Sequence, residues 1–437
     1  MAVRAAEPPS VEPARPPARR RRAAWLTRLD APLAPYYLVL GSTVALVVIG
    51  LVMVLSSSSV QSLQETHLTS SYAYFGKQAL FAGLGLPLAW VASRLPVRWW
   101  QRSAWLLLAG SAGLLALVPV MGDSVNGNQN WISFGGFTVQ PSEAAKFAFL
   151  VWAATVLVRK QQLLHSLSHV LIPVVPVAVL LLGLVLAGRD LGTAMILMGI
   201  VLGVLFVAGA PLRVFGITGG AAVIVVAALV RISPNRMDRV SAWLGIGPAD
   251  YTSTNWQPLQ GAYALATGGW WGLGLGASKQ KWFWLPEAHN DFIFAIIGEE
   301  LGLPGTLAVL ALFGLLGVGL LRLVTVSPDL FVKIATGGVL LWVLGQAVVN
   351  IGAVLGLLPV IGVPLPLVSS GGSALVMTMI ALGMVLGFAR RAPGARQALD
   401  ARSGVVRRSL AVLPRRAAAA TRHRAAYRGG RVNGSTR

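Results

Sequence analysis

Ten apolar segments, most of them near twenty residues long, recur along this chain and leave it few ways to fold. They fall near 36–56, 76–95, 103–121, 143–158, 168–187, 191–209, 213–231, 291–323, 331–357 and 370–389. About 20 apolar residues in a helix span the hydrocarbon layer of a bilayer. Without water, each backbone N–H and C=O needs a partner inside the segment, and a helix supplies one. The reading is an all-α, polytopic integral membrane protein with about ten transmembrane helices and one long extracytoplasmic loop. The eighth segment is expected to break at Gly302-Leu303-Pro304-Gly305. Of the 437 residues, 55% are hydrophobic and only 12% charged, too little polar surface to wrap a soluble globule of this size.

Charge sets the expected topology. Arg94, Arg98 and Arg102 lie between the second and third segments, Arg159 and Lys160 between the fourth and fifth, Arg213 between the sixth and seventh, and Arg322 and Lys333 between the eighth and ninth. The alternate connections 59–74, 122–142 and 358–369 contain no Lys or Arg. Basic residues stay on the cytoplasmic side, so both termini are expected there. Residues 1–34 and 391–437 form basic tails around a membrane domain of 35–390; residues 1–30 carry seven Arg against three acids, and thirteen Arg stand against Asp400 in 390–437. The tails lack the interleaved aromatics of a single-strand binder. They read as positive-inside anchors attracted to anionic lipid, with no nucleic acid as partner. The first apolar segment is too long for a signal-peptide core and is expected to remain as a signal anchor. The chain has no Cys, which excludes disulfides, thiol catalysis and Cys-ligated metals.

The segment 232–290 is the exception to short connections, and long loops are uncommon unless functional. By alternation it lies outside, where it carries Arg236, Arg239, Lys279 and Lys281 beside the Gly- and Trp-rich runs 268–276 and 281–284. A structured layer on the outer membrane face is expected. It ends in PEAHNDFIF (286–294), an acid, a histidine and a second acid entering an apolar run. Carboxylates beside hydrocarbon are costly and mark functional sites. Asn290 or Asp291 can cap the following helix, and capping alone would account for them. Asp291 would equally serve as a general base with water on one side and apolar surroundings on the other. His289 has no second His at ligand spacing.

Other polar groups interrupt apolar surroundings. Glu143 and Lys146 follow Pro141 at i,i+3, and read either as a structural ion pair or as the lining of a polar cavity. Glu299 and Glu300 precede the helix break and point about 100° apart, so hydrogen bonding to the broken backbone is expected of them. Arg189 and Asp190 form a short outer corner, read as a neutralised pair. In PVIGVPLPLVSSGGS (359–373) the prolines and glycines break any helix and expose amides, among them those of Ser370 and Gly371, which can face phosphate. Acids, cations, amides and aromatics around a lipid-accessible cavity suit a ligand with a diphosphate, a sugar and an isoprenoid tail.

Four blocks in this order carry a resemblance: NGNQNWISFGGFTVQPSEAAK (126–146), DLGTA (190–194), GGWWGLGLGASKQKWFWLPEAHNDFIFAIIGEELG (268–302) and PLPLVSSGGS (364–373). Over residues 36–390 the chain resembles the SEDS family of shape, elongation, division and sporulation proteins, the FtsW/RodA group. The EAH at 287–289 and the SSGG are more similar to its division branch. The resemblance implies an enzyme that polymerises lipid II into peptidoglycan glycan strands on the outer face of the cytoplasmic membrane. It matches Asp291 to the family's essential loop aspartate, Glu143 and Lys146 to its cavity pair, and Lys281 to the lysine of its SxQK motif. Arg239, Asp190, Ser370 and Gly371 complete the candidate substrate-binding set. Asn130 stands where the family often has Arg, Asn290 where it has Thr or Ser, and Arg189 where it has Pro. The implied partners are the growing lipid-linked strand, a class B penicillin-binding transpeptidase and other division proteins at the septum. No cofactor is evident; a divalent cation would be compatible. A lipid II flippase and a non-catalytic division scaffold are the alternatives.

Overall fold

Each of the ten apolar segments folds as a helix in the computed structural model, which describes residues 31–65, 70–125, 128–134, 137–163, 166–246, 256–282 and 284–395. The basic tails lie outside the described residues except for 31–34 and 391–395, as does 247–255 of the long loop. In chain order the helices are α1 (Ala34–Glu65), α2 (Ala73–Arg94), α3 (Val97–Met121), α4 (Pro141–Arg159), α5 (Leu167–Ala187), α6 (Leu191–Val207), α7 (Leu212–Ile232), α8 (Pro234–Leu244), α9 (Trp256–Gly268), α10 (Ile293–Val326), α11 (Leu330–Val354) and α12 (Gly372–Arg391). Among the described residues, seven of them are long and apolar enough to cross a membrane: α1, α3, α4, α7, α10, α11 and α12. That is fewer than the ten expected. Polar Lys77, Gln78 and Arg94 dilute α2, α6 has only 17 residues, and the apolar part of α5 runs Leu171–Ala187.

The membrane-length helices are apolar on all sides, so burial rather than periodicity separates core from rim. Nearly every side chain of α4 from Pro141 to Leu157 is buried, which makes it the central helix. It packs against α3, α6, α11 and α12. At the other extreme, only Val214 of α7 is buried.

Two features depart from the sequence reading. Three short strands form a small antiparallel sheet, β1 (Asp123–Val125), β2 (Asn128–Phe134) and β3 (Phe137–Val139), in that order. Gln129 N–H in β2 donates to the Gly188 carbonyl at the end of α5, which fixes the sheet over the bundle. The expected long loop contains the helices α8 and α9. Ser233 and Pro234 start α8, with Pro at a position where its missing N–H costs nothing, and Gly245 ends it at φ 67°.

The break in α10 is at Gly302 (φ 65°, ψ −160°). The segment after α9 lies along it: Leu273 and Gly274 N–H donate to the Glu299 and Glu300 carbonyls at 2.9 and 3.0 Å, and Leu303 N–H donates to Gly269 O at 3.1 Å. The side chains of both acids bind the same loop. Glu299 accepts from Ser278 Oγ (2.5 Å) and Lys279 N–H (2.9 Å). Glu300 accepts from Ser56 Oγ of α1 (2.6 Å) and Ser278 N–H (3.3 Å), and lies 3.6 Å from Lys281 Nζ. Loop, broken helix and α1 are thereby joined, and Trp270, Trp271, Trp282 and Trp284 are left exposed.

Candidate active site

A cavity of about 940 Å³ opens between the sheet, α4, α6, α8, the 286–291 turn and the 359–371 segment. Seven of the eight candidate residues line it: Glu143, Lys146, Asp190, Arg239, Asp291, Ser370 and Gly371. Lys281 does not. It is buried in the loop joint, where its ammonium donates to Gly276 O at 2.5 Å and faces Glu300.

The floor is the start of α4. Lys146 Nζ sits 2.8 Å from Glu143 Oε1, donates to Gln346 Oε1 of α11 at 3.2 Å and lies 5.1 Å from the centre of the Trp342 ring. Both side chains are nearly sealed, at 3% and 1% exposure, so the pair is an ion pair and a cavity floor at once. Glu143 Oε2 is buried with no hydrogen-bond partner.

Asp190 does not pair with Arg189 as expected. It caps α6, accepting from Thr193 N–H (2.8 Å) and Thr193 Oγ1 (2.7 Å), from Asn130 Nδ2 of β2 (3.0 Å) and from Gln140 Nε2 ahead of α4 (2.9 Å). Arg189, at φ 62°, lines the cavity with Arg236 and Arg239 of α8. Arg236 donates to the Arg189 carbonyl (2.9 Å) and Arg239 to Val360 O (3.4 Å). Three arginines therefore share the cavity wall, of which the candidate set from the sequence held Arg239.

Asp291 is the partly exposed end of the 286–291 turn, two residues ahead of α10. Neither expected cap forms: the N-cap position is Phe292, without a side-chain bond, and Asn290 Nδ2 instead reaches Glu287 Oε2 at 3.5 Å. Its carboxylate is thus free of structural duty, and Oδ1 is buried with no hydrogen-bond partner. Burial first, then the charges of Glu287 and Asp190, push its pKa from 3.8 up to about 7 against the opposing pull of Arg239. His289 is buried with its ring 4.6 Å from that of Tyr74. Among the described residues no cluster of three or more His, Asp or Glu has the geometry of a metal site.

The amides of Ser370 and Gly371 are engaged within the protein. Ser370 N–H donates to His289 O (3.0 Å) and Gly371 N–H to Gln78 Oε1 (3.3 Å), so they hold the cavity wall instead of presenting a phosphate cradle. Gln346 and Asn350 were missed. Polar residues four apart in an otherwise apolar span were the signal that could have found them.

A bundle of membrane-length helices around a polar cavity, with a neutral-range carboxyl and three arginines, defines a polytopic membrane protein with a site suited to an anionic ligand. The family model described as "Cell cycle protein", which covers FtsW, RodA and SpoVE, matches residues 37–393, and the chain belongs to that family. It is 42% identical over 386 residues to a Mycobacterium tuberculosis protein named "Probable peptidoglycan glycosyltransferase FtsW", covering 88% of this chain and 72% of the relative. A Trichlorobacter lovleyi protein of the same name is 39% identical over 358 residues, covering 81% and 93%. The fold is similar to a chain in a solved peptidoglycan synthase complex described as coordinating polymerization and crosslinking (TM-score 0.66, 28% identity, 81% of this chain and 97% of that one). It is also similar to the Thermus thermophilus rod shape determining protein RodA (TM-score 0.59, 28% identity, 82% and 97%).

Proposed function

We propose that Asp291 is the general base of this chain, which is a peptidoglycan glycosyltransferase acting on lipid II. The single observation behind the assignment of the base is the Asp291 carboxyl: it lines the cavity, has one buried oxygen without a partner, and titrates near neutrality. The acceptor sugar's 4-hydroxyl attacks the anomeric carbon of the lipid-linked donor strand. Its proton passes to Asp291 as the new C–O bond forms, the bond to the diphosphate breaks, and undecaprenyl diphosphate departs with inversion. A positioned base contributes about 10²–10⁴-fold. Arg239, with Arg189 and Arg236, is the cation set at hand for the charge growing on the diphosphate. Lys146 is committed to Glu143 and Gln346 and shapes the floor.

In this reading all ten apolar helices cross the membrane, with the 17-residue α6 tilted little. The domain of 35–390 has its basic tails in the cytoplasm and its cavity outside, and works at the division septum. A class B penicillin-binding transpeptidase crosslinks the product, in keeping with the synthase complex the fold is similar to.

The test is polymerisation of labelled lipid II by the chain purified with its transpeptidase partner. Asp291→Asn is expected to slow glycan-strand synthesis by about 10²–10⁴-fold in a folded protein. Lipid movement in liposomes that persists in Asp291→Asn, without strand synthesis by the wild type, would establish a flippase; neither activity would leave a scaffold.

A further inference from the structure

Three consecutive carbonyls around Asp291 are bound from one side. The His289 carbonyl accepts from Ser370 N–H at 3.0 Å, the Asn290 carbonyl from Ser369 Oγ at 2.6 Å, and the Asp291 carbonyl from Asn350 Nδ2 at 2.7 Å. These donors are themselves fixed. Ser369 Oγ accepts from Leu365 N–H at 2.8 Å, and the Ser369 carbonyl accepts from Gln78 Nε2 at 3.1 Å. Asn350 Nδ2 also donates to Val363 O at 2.7 Å. One turn earlier on α11, Gln346 accepts from Lys146 and donates to Pro364 O at 2.9 Å. Residues four apart share a helix face, so one face of α11 connects the Glu143–Lys146 pair to the backbone of the base through the neighbouring carbonyls 363 and 364.

We propose that Asn350 and Ser369 are positioning residues for glycosyl transfer, holding the peptide planes on both sides of Asp291 and so aiming its carboxylate at the acceptor hydroxyl. The proposal rests on the reading of Asp291 as the base. Donors placed on the carboxylate itself would aim it equally well, but would stabilise the anion and weaken it as a base. Bonds to the flanking carbonyls aim it without that effect. Both residues are buried, at 3% and 4% exposure, and neither Asn350 nor Ser369 lines the cavity, so they act through the turn and not on substrate.

The experiment measures kcat and KM for labelled lipid II with the transpeptidase complex of wild type, Asn350→Ala, Ser369→Ala and Asp291→Asn, and with each alanine placed in the Asp291→Asn background. A base displaced by about 1 Å loses about 10²-fold in rate. That loss is expected in kcat for each alanine, with KM changed by less than about twofold and no further loss on top of Asp291→Asn. A kcat within about threefold of wild type for Ser369→Ala, or the same loss in both backgrounds, overturns the proposal. A raised KM at unchanged kcat does the same. Ser369→Ala removes a single oxygen and decides the matter if Asn350→Ala does not fold. An Asp291→Asn enzyme of normal rate sinks the base itself, and this proposal with it.

Discussion

At pH 6 the enzyme is expected to polymerise about tenfold more slowly than at pH 8, because a base with a pKa near 7 is about one-tenth ionised at the first and about nine-tenths at the second. A carboxyl at its ordinary 3.8 would be fully ionised across that range and give a flat profile. The position of the limb depends on two charges that can be altered one at a time. Glu287 raises the Asp291 pKa and Arg239 lowers it. Glu287→Gln should therefore move the limb to more acidic pH, and Arg239→Gln to more alkaline pH. The Glu287 substitution preserves the turn, since it is the residue's backbone carbonyl that accepts from Asn290 and Phe292 N–H, at 3.0 and 3.3 Å. The assay is kcat/KM for lipid II between pH 5.5 and 8.5, the quantity that reports the titration of the free enzyme, read from the amount of strand made. A flat wild-type profile would refute Asp291 as the titrating base. A limb that Glu287→Gln moves upward would refute the electrostatic account of its tuning.

The raised pKa also has a cost in stability. The unfolded chain releases the Asp291 proton near 3.8 and the folded one near 7, so folded stability is lost as pH rises through that window. Asp291→Asn should melt higher than wild type in detergent at pH 8 and equally at pH 3.5; a variant that melts lower at pH 8 contradicts this. Lys146→Met leaves the Glu143 carboxylate buried and unpaired and should destabilise by about 3–5 kcal/mol, with part of the loss restored when Glu143→Gln is added, as melting curves would show. A Cβ at Gly268 would lie 1.9 Å from the Gly298 carbonyl, a backbone atom that cannot swing aside. Gly268→Ala should therefore release the loop from the α10 break and expose 269–281 to protease at a temperature where wild type is resistant.

The helices were legible because lipid leaves an apolar segment only one regular conformation, and ten such segments gave ten helices. What happens between them was less so. The sheet of β1, β2 and β3 has short strands whose pairing depends on where α3 and α4 bring their ends, and α8 and α9 are short helices of 11 and 13 residues inside a loop identified chiefly by its length. At the site, Glu143, Lys146 and Asp291 stood out because each is a charge beside an apolar run. The sequence could not reveal that Ser278, Lys279 and Lys281 belong to Glu299 and Glu300, some twenty residues away, or that the amides of Ser370 and Gly371 are already taken. Both depend on partners that only folding brings near. Asp190 and Asp291 each precede a helix, yet Asp190, read from the sequence as half of a neutralised pair, caps α6, while Asp291, read as a possible cap, caps nothing.

That last contrast separates a structural carboxylate from a chemical one within a single cavity. Asp190 accepts four hydrogen bonds, from β2, from the residue ahead of α4 and from its own helix, and so joins three elements. Asp291 is held as firmly, yet through its backbone, and Oδ1 faces no donor. A carboxylate with a buried oxygen that no donor reaches is costly to ionise, and the fold tolerates it only because the surrounding joints fix the turn independently: Ser369 and Asn350 on one side, and the α10 packing on the other. The same free energy that opposes ionisation raises the proton affinity of the group toward neutrality, where a base must stand to take a proton from a sugar hydroxyl and then give it up. Adding a donor to Asp291 would stabilise the fold and weaken the base, so the missing hydrogen bond belongs to the site's chemistry and is not a flaw in its packing.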